Sequence, residues 1–427
     1  MKKYATIILM TLLTFGALPL FSQSGVGKQE PVLKDLIQEA LDNNPKLEAA
    51  LQRTLAAEKT IPQAGALPDP QLTLGLMNLP VNSFDFNQEP MTGKLISVMQ
   101  MFPFPGKLGL ATEIAELEAA SVKYQQDEVR NMIIQMVKRA YYDLYAIDRA
   151  VDTVQKNQAL MDQFVQVAEI KYVTGSGLQQ DVLRAQVERS KLEDDLIMWQ
   201  QKRLAATARL NALLNRPVDT PFDITPQELS LPDKILAVPT SEQVEQKRPL
   251  LRAWNERILK AETAVKLARR DIWPNITVGA SYSQRDDLKT GMSMHDFFST
   301  TLSLNIPVYF KRKQSVKVAE KELDRAAVAA EYQNVRSEVM AEIESLRSEL
   351  ERNRKRVELY KGGILIQAQQ SLDSAHAGYR VGKVDFLTLI NNWMMLQNYE
   401  LQYFFALADY HKALASCELA VGGETVE

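Results

Sequence analysis

The sequence predicts a mainly α chain with a small β part, built from long antiparallel coiled-coil helices and four short strands. Three observations carry this. Proline and glycine positions recur at one fixed shift, two pairs of segments alternate apolar with small polar residues, and long segments carry an apolar stripe at heptad spacing. Pro45, Pro70, Gly75 and Pro103 return as Pro249, Pro274, Gly279 and Pro307, each 204 residues later. Tyr172-Val173-Thr174-Gly175 returns as Tyr379-Arg380-Val381-Gly382, now 207 residues later, which places a three-residue insertion along a long helix. Residues 24–216 and 240–423 therefore read as two copies of one structural unit.

The elements follow in order. Lys2 and Lys3 precede an apolar run from Ala5 to Leu18, and Ser22 and Gln23 lead into polar sequence, so residues 1–23 read as a signal peptide. A helix is expected from Leu36 to Ala66, where Pro68 and Pro70 end it. A hairpin at about 70–103 opens with Leu72, Leu74 and Leu76 alternating with Gln71, Thr73 and Gly75. A long helix follows over 107–172 and a second over 178–216. The stretch 217–239 holds Pro217, Pro221, Pro226, Pro232 and Pro239, which forbid a continuous helix and make it a connector. The second copy repeats the plan with a hairpin at about 274–308, a long helix over 312–379 and another over 385–421, before a tail at 424–427.

In the second hairpin Ile276, Val278, Ala280 and Tyr282 alternate with Asn275, Thr277, Gly279 and Ser281, and Leu302 and Leu304 with Thr301 and Ser303. Strands of about nine to eleven residues suit a tilted crossing of a bilayer, with Thr277, Gly279, Thr301 and Ser303 facing water and Ile276, Val278, Leu302 and Leu304 facing lipid. Four strands cannot close a barrel, because about eight is the lower limit, so such a chain must oligomerise. In the first long helix Ala140, Leu144, Ile147, Val151, Val154, Gln158, Met161, Val165, Ala168 and Tyr172 step by three and four. A helix over that whole segment is about 95–100 Å long, far more than a globular core needs.

Composition narrows function by exclusion. With 50 Lys plus Arg against 53 Asp plus Glu, the chain lacks the basic footprint of a nucleic-acid binder. Its three His and single Cys supply no zinc cage or disulfide framework, and no nucleophile–base pattern or phosphate loop appears, so neither an enzyme nor a cofactor is expected. Thioethers suit soft metals, and Met292, Met294 and His295 cluster in one inter-strand loop, which makes them candidate metal ligands. Met77, Met91, Met99 and Met101 lie in or near the first hairpin.

Taken with Asp181-Val182-Leu183-Arg184-Ala185-Gln186, its counterpart Phe386-Leu387-Thr388-Leu389-Ile390, Leu210-Asn211-Ala212-Leu213-Leu214-Asn215-Arg216-Pro217 and the closing Glu418-Leu419-Ala420-Val421-Gly422-Gly423, this pattern resembles the TolC family of outer-membrane efflux proteins. Phe102-Pro103-Phe104-Pro105-Gly106-Lys107 is similar to the strand exit of that family's heavy-metal branch. The resemblance implies a homotrimer in the outer membrane of a Gram-negative bacterium. Its transmembrane β-barrel takes twelve strands, four from each chain, and continues as a long helical barrel through the periplasm. It implies passive export, with an inner-membrane pump and a periplasmic adaptor as partners, outer-membrane lipid around the barrel and no nucleic acid. Thr174, Gly175, Ser176, Val381, Gly382 and Lys383 then become the adaptor-docking tips. Acidic residues often narrow the family's tunnel mouth; at those positions this chain carries Thr388 and Asn391, with Asp385 nearby and Asp181 in the first copy. The alternative reading is a periplasmic coiled-coil scaffold or adaptor that crosses no membrane, which leaves the four strands unexplained.

Overall fold

The computed structural model describes residues 31–222, 228–232 and 239–423. The expected signal peptide, the tail and parts of the proline-rich connector lie outside the described residues.

The entry to the first copy is two helices, α1 (Pro31–Asn43) and α2 (Pro45–Gly65), rather than one. Proline disfavours helical backbone in the residue before it, and Asn44 is extended, with its side chain accepting from the Lys46 N–H at 3.0 Å as an N-cap. Strands β1 (Gln71–Met77) and β2 (Gly93–Phe102) follow, then α3 (Lys107–Val173) and α4 (Gln179–Leu213). The second copy runs α5 (Ser241–Lys247), α6 (Pro249–Arg270), β3 (Ile276–Gln284), β4 (Phe297–Leu304), α7 (Gln314–Leu359), α8 (Leu365–Arg380) and α9 (Phe386–Val421). Arg248 and Pro249 repeat the break made by Asn44 and Pro45.

The four strands form one antiparallel sheet in the order β1-β2-β3-β4. The copies join through β2 and β3, with Phe102 opposite Ile276 and Lys94 opposite Gln284. Directly paired residues share a face, so the register sorts the sheet into two surfaces. One carries Leu72, Leu74, Ile96, Val98, Ile276, Val278, Leu302 and Leu304. The other carries Thr73, Ser97, Thr277, Gly279, Ser281, Thr301 and Ser303, and also Met99 and Met101. A Cβ at Gly279 would lie 2.4 Å from Thr301 Oγ1 and 3.0 Å from Met99 Cγ, so any larger residue must displace those two side chains. Within one chain β1 and β4 each leave one edge unpaired, and the apolar surface is bare: Leu74 is 70% exposed and Phe298 72%.

α3 is 67 residues long, about 100 Å of continuous helix, and Gln314–Arg380 spans the same number. The three-residue insertion is therefore not in a long helix, as the sequence suggested. It lies in the link from strand to helix, where Pro103 precedes α3 by four residues and Pro307 precedes α7 by seven. The second long helix is instead broken by a π-helical turn at Tyr360–Ile364. Its apolar stripe runs through Val339, Ile343, Val357 and Tyr360, then resumes at Leu365, Leu372, Ala375 and Tyr379. The step from Tyr360 to Leu365 is one residue too long for the heptad pattern, and a π-turn absorbs one residue.

α3 packs against α2, α4, α6 and α9, while α7 packs against α6 and α9. In its distal half the fully buried seam is Ala150, Val154, Asn157, Met161, Phe164 and Ala168, one residue off the expected Gln158 and Val165. Asn157 Oδ1 accepts from the Trp393 indole N–H at 2.7 Å and its amide donates to the Thr153 carbonyl at 2.8 Å, which satisfies a polar pair inside the coiled coil. Among the described residues no helix is long and apolar enough to cross a membrane.

Candidate functional site

The sheet and the helical tips sit at opposite ends of α3, so the chain presents two functional ends. Each tip is a short turn between antiparallel helices. At the first, the Ser176 N–H donates to the Lys171 carbonyl at 2.9 Å and Gly175 has φ of +70°. At the second, the Lys383 N–H donates to the Gly378 carbonyl at 2.9 Å and Gly382 has φ of +75°. Both are the six-to-one closure that a left-handed glycine permits after a helix. The Thr174 hydroxyl also bonds the Ile170 carbonyl at 2.9 Å and lies 3.0 Å from Ser176 Oγ. Thr174, Gly175, Ser176, Val381, Gly382 and Lys383 are all exposed.

The tips also touch each other. The Tyr379 hydroxyl of α8 donates to Asp181 Oδ2 of α4 at 3.3 Å, the Lys171 ammonium lies 4.8 Å from the Tyr379 ring centroid, and that ring meets Phe386 at 5.2 Å. Burial, reinforced by the Asp181 charge, pushes the Tyr379 phenol up to about 12, so it remains a donor. Asp181 thus clasps one hairpin to the other, a role invisible in sequence because it depends on which helices meet. Asp385 is the N-cap of α9: its carboxylate accepts from the Thr388 N–H at 2.7 Å, and the bonds from Thr388 hold its pKa below the ordinary carboxylate range. Asp385, Thr388 and Asn391 are exposed at steps of three along the first turns of α9, and Asp181 is half-buried on α4.

At the sheet end, two inter-strand loops meet across the chain. The Lys289 ammonium pairs with Asp85, and Arg285 donates to the Pro90 carbonyl at 3.1 Å. Met292 is exposed; the Met294 N–H donates to Asp287 at 2.8 Å, and the His295 carbonyl accepts from Arg285 Nε at 2.7 Å. These contacts order the loop through its backbone and do not join the Met292, Met294 and His295 side chains. Among the described residues no group of three or more His, Cys, Asp or Glu is placed to hold a metal ion. The other two histidines pack: His376 lies 5.4 Å from the Phe164 ring, and His411 is buried beside Tyr142 and Tyr410.

Known proteins share this arrangement. The chain is 24% identical over 384 residues to the outer membrane efflux protein BepC of Brucella suis biovar 1, covering 86% of this chain and 80% of that protein. It is 18% identical over 423 residues to the cobalt-zinc-cadmium resistance protein CzcC of Cupriavidus metallidurans, covering 95% and 92%. Among solved structures it superposes on CusC with a TM-score of 0.79 at 18% identity, covering 95% of this chain and 96% of that one. It also superposes on the outer-membrane channel OprN, with a TM-score of 0.80 at 17% identity and coverage of 93% and 91%. The profile of the family described as "Outer membrane efflux protein" matches 36–216 and 240–423. Two strand pairs in one sheet, carried on paired helices about 100 Å long, are what that match describes in atoms, and the chain belongs to the outer membrane efflux protein family.

Proposed function

We propose that three copies assemble into a passive duct that carries heavy-metal cations outward across the outer membrane. The observation that carries this reading is the sheet: four strands, two unpaired edges and one bare apolar face, mounted on helices long enough to reach far into the periplasm. Joining β1 of one copy to β4 of the next satisfies every edge only when the ring closes, and three copies supply twelve strands. The apolar face then meets lipid, and the Thr277, Gly279, Thr301 and Ser303 face lines water.

At the other end, Thr174, Gly175, Ser176, Val381, Gly382 and Lys383 dock a periplasmic adaptor, which links the duct to an inner-membrane pump. Their exposure and their rigid closure support this. Asp385, with Thr388 and Asn391 beside it, lines the tunnel mouth; three symmetry-related carboxylates there favour cations and resist closure by mutual repulsion. The metal cargo is supported by the similarity to a cobalt-zinc-cadmium resistance protein.

The test is growth of a deletion strain across copper, silver, zinc, cobalt, detergents and hydrophobic antibiotics. Selective metal sensitivity, restored by the intact gene, is the expected result. Sensitivity confined to organic compounds contradicts the metal cargo and leaves the duct standing.

A further inference from the structure

The three residues inserted between β4 and α7 give the second copy a segment that the first copy lacks. Along β4 the apolar face is occupied by Phe298, Leu302 and Leu304; past the last pairing Ile306 is exposed, and the chain turns at Pro307, where the Val308 N–H donates to the Ile306 carbonyl at 2.9 Å. Val308 is 74% exposed and Tyr309 77%. Phe310 follows, and then Lys311, Arg312 and Lys313, all exposed. The segment is ordered: the Phe310 N–H donates to the Pro307 carbonyl at 3.2 Å, and the Lys313 N–H to the Tyr309 carbonyl at 3.0 Å.

Neighbouring cations at the same end of the sheet are already used. Lys107 and Lys317 both pair with Asp271, at 3.5 and 2.7 Å, Arg269 pairs with Glu322 at 2.7 Å, and Arg270 donates to the Pro105 carbonyl at 2.7 Å. Lys311, Arg312 and Lys313 form no ion pair among the described residues. Trp273, stacked on Phe104 at 5.2 Å, marks the same level, because β3 begins three residues later opposite the end of β4.

Aliphatic residues, then aromatic rings, then unpaired cations is the order of environments met on leaving a bilayer: hydrocarbon, interface, phosphate layer. We infer that Lys311, Arg312 and Lys313 form an anchor for the phosphodiester headgroups of anionic phospholipid in the leaflet on the helical side of the membrane, with Val308, Tyr309 and Phe310 seated at its hydrocarbon boundary. This rests on the reading of the sheet as membrane-spanning. The helical side follows from the chain itself, since the segment leads straight into α7 while the inter-strand loops lie at the opposite end of the strands. Guanidinium and ammonium groups with no protein carboxylate beside them complement phosphate. Each such cation near an anionic surface strengthens binding about fivefold at moderate salt.

The test compares the purified full-length assembly with a triple variant, Lys311→Ser, Arg312→Ser and Lys313→Ser, by counting lipids retained in native mass spectrometry during titration with phosphatidylglycerol or phosphatidylcholine. The wild type is expected to prefer phosphatidylglycerol, with a preference that weakens as salt rises. The triple variant is expected to lose about fivefold of that preference per cation removed while keeping the same assembly size. An unchanged preference in the variant overturns the anchor, as does a wild type with no preference. Resistance of Lys311 and Lys313 to amine-modifying reagents in the lipid-free assembly also overturns it, because a neighbouring copy then covers them. Fractionation of the wild type away from the outer membrane would instead strike the duct reading itself, so the two failures are told apart.

Discussion

Asn157 and Trp393 concentrate the risk in the distal core, because both are buried and the indole N–H depends on Asn157 Oδ1. Replacing Asn157 with Leu strands the indole N–H and is expected to cost about 1–3 kcal/mol, read as a lower melting temperature. Adding Trp393→Phe should recover part of that loss, since no donor is then left unpaired. His411 makes stability depend on pH. Burial pushes its imidazole from the ordinary 6.5 down to about 4, against a backbone bond from the ring to the Ser230 carbonyl that favours the charged form. The unfolded chain therefore takes up the proton first. This contribution is complete above about pH 6.5 and is lost as pH falls toward about 4, by up to about 3 kcal/mol. His411→Gln should flatten the fall in melting temperature across that window; a parallel curve would remove His411 as its cause. At the tips, Tyr379→Phe removes the clasp to Asp181 without changing ring packing. Increased proteolysis of the turns at unchanged overall melting temperature is the expected sign, since only local opening is made easier.

The elements were legible where one physical rule dominated. Alternation revealed β1, β3 and β4 because one face of the sheet is mostly apolar, while Gln100 on that face and Met99 and Met101 on the other blur it in β2. The shifted prolines revealed the repeat because each lies at or near an end of a helix or strand. Asn44 was missed because the apolar period runs on across it, although Pro45 signals the break. The seam of α3 was read one residue off because Gln158 and Val165 are half-buried beside Asn157 and Phe164, and a broad stripe hides which of two neighbours is central. The π-turn at Tyr360–Ile364 was invisible to a search for regular heptads, since it is the place where the heptad fails. Of the site, the tips were readable from Gly175 and Gly382, but the Asp181–Tyr379 clasp was not, because 198 residues separate its partners. Two outcomes belong at this scale. A Cβ at Gly362 or Gly363 meets nothing within 4 Å, so alanine at either is expected to raise stability by up to about 1 kcal/mol in thermal melts. Val278→Arg on the apolar face should abolish recovery in the outer membrane, at a cost of about 2–4 kcal/mol per copy, whereas Ser281→Arg on the polar face should be recovered normally.

For the whole molecule the governing fact is incompleteness. One chain spans a long periplasmic distance with well-packed helices yet leaves a four-stranded sheet open at both edges, an arrangement that in isolation invites uncontrolled pairing. In the proposed assembly, closure with identical copies pairs the edges and turns the apolar face outward to lipid. Within a chain β1 and β4 are three inter-strand spacings apart, about 14 Å, which exceeds the roughly 7 Å that a disulfide can span. The most direct measurement is oxidative cross-linking in intact cells of a cysteine panel pairing Thr73→Cys on β1 with Ser299→Cys, Thr301→Cys or Ser303→Cys on β4. Cys417 is buried and its thiol is pushed up to about 11, so it stays silent. The account predicts cross-linking that requires both cysteines and a ladder that stops at three chains. A panel with no inter-chain bond at any register, or a ladder that runs past three, would contradict it.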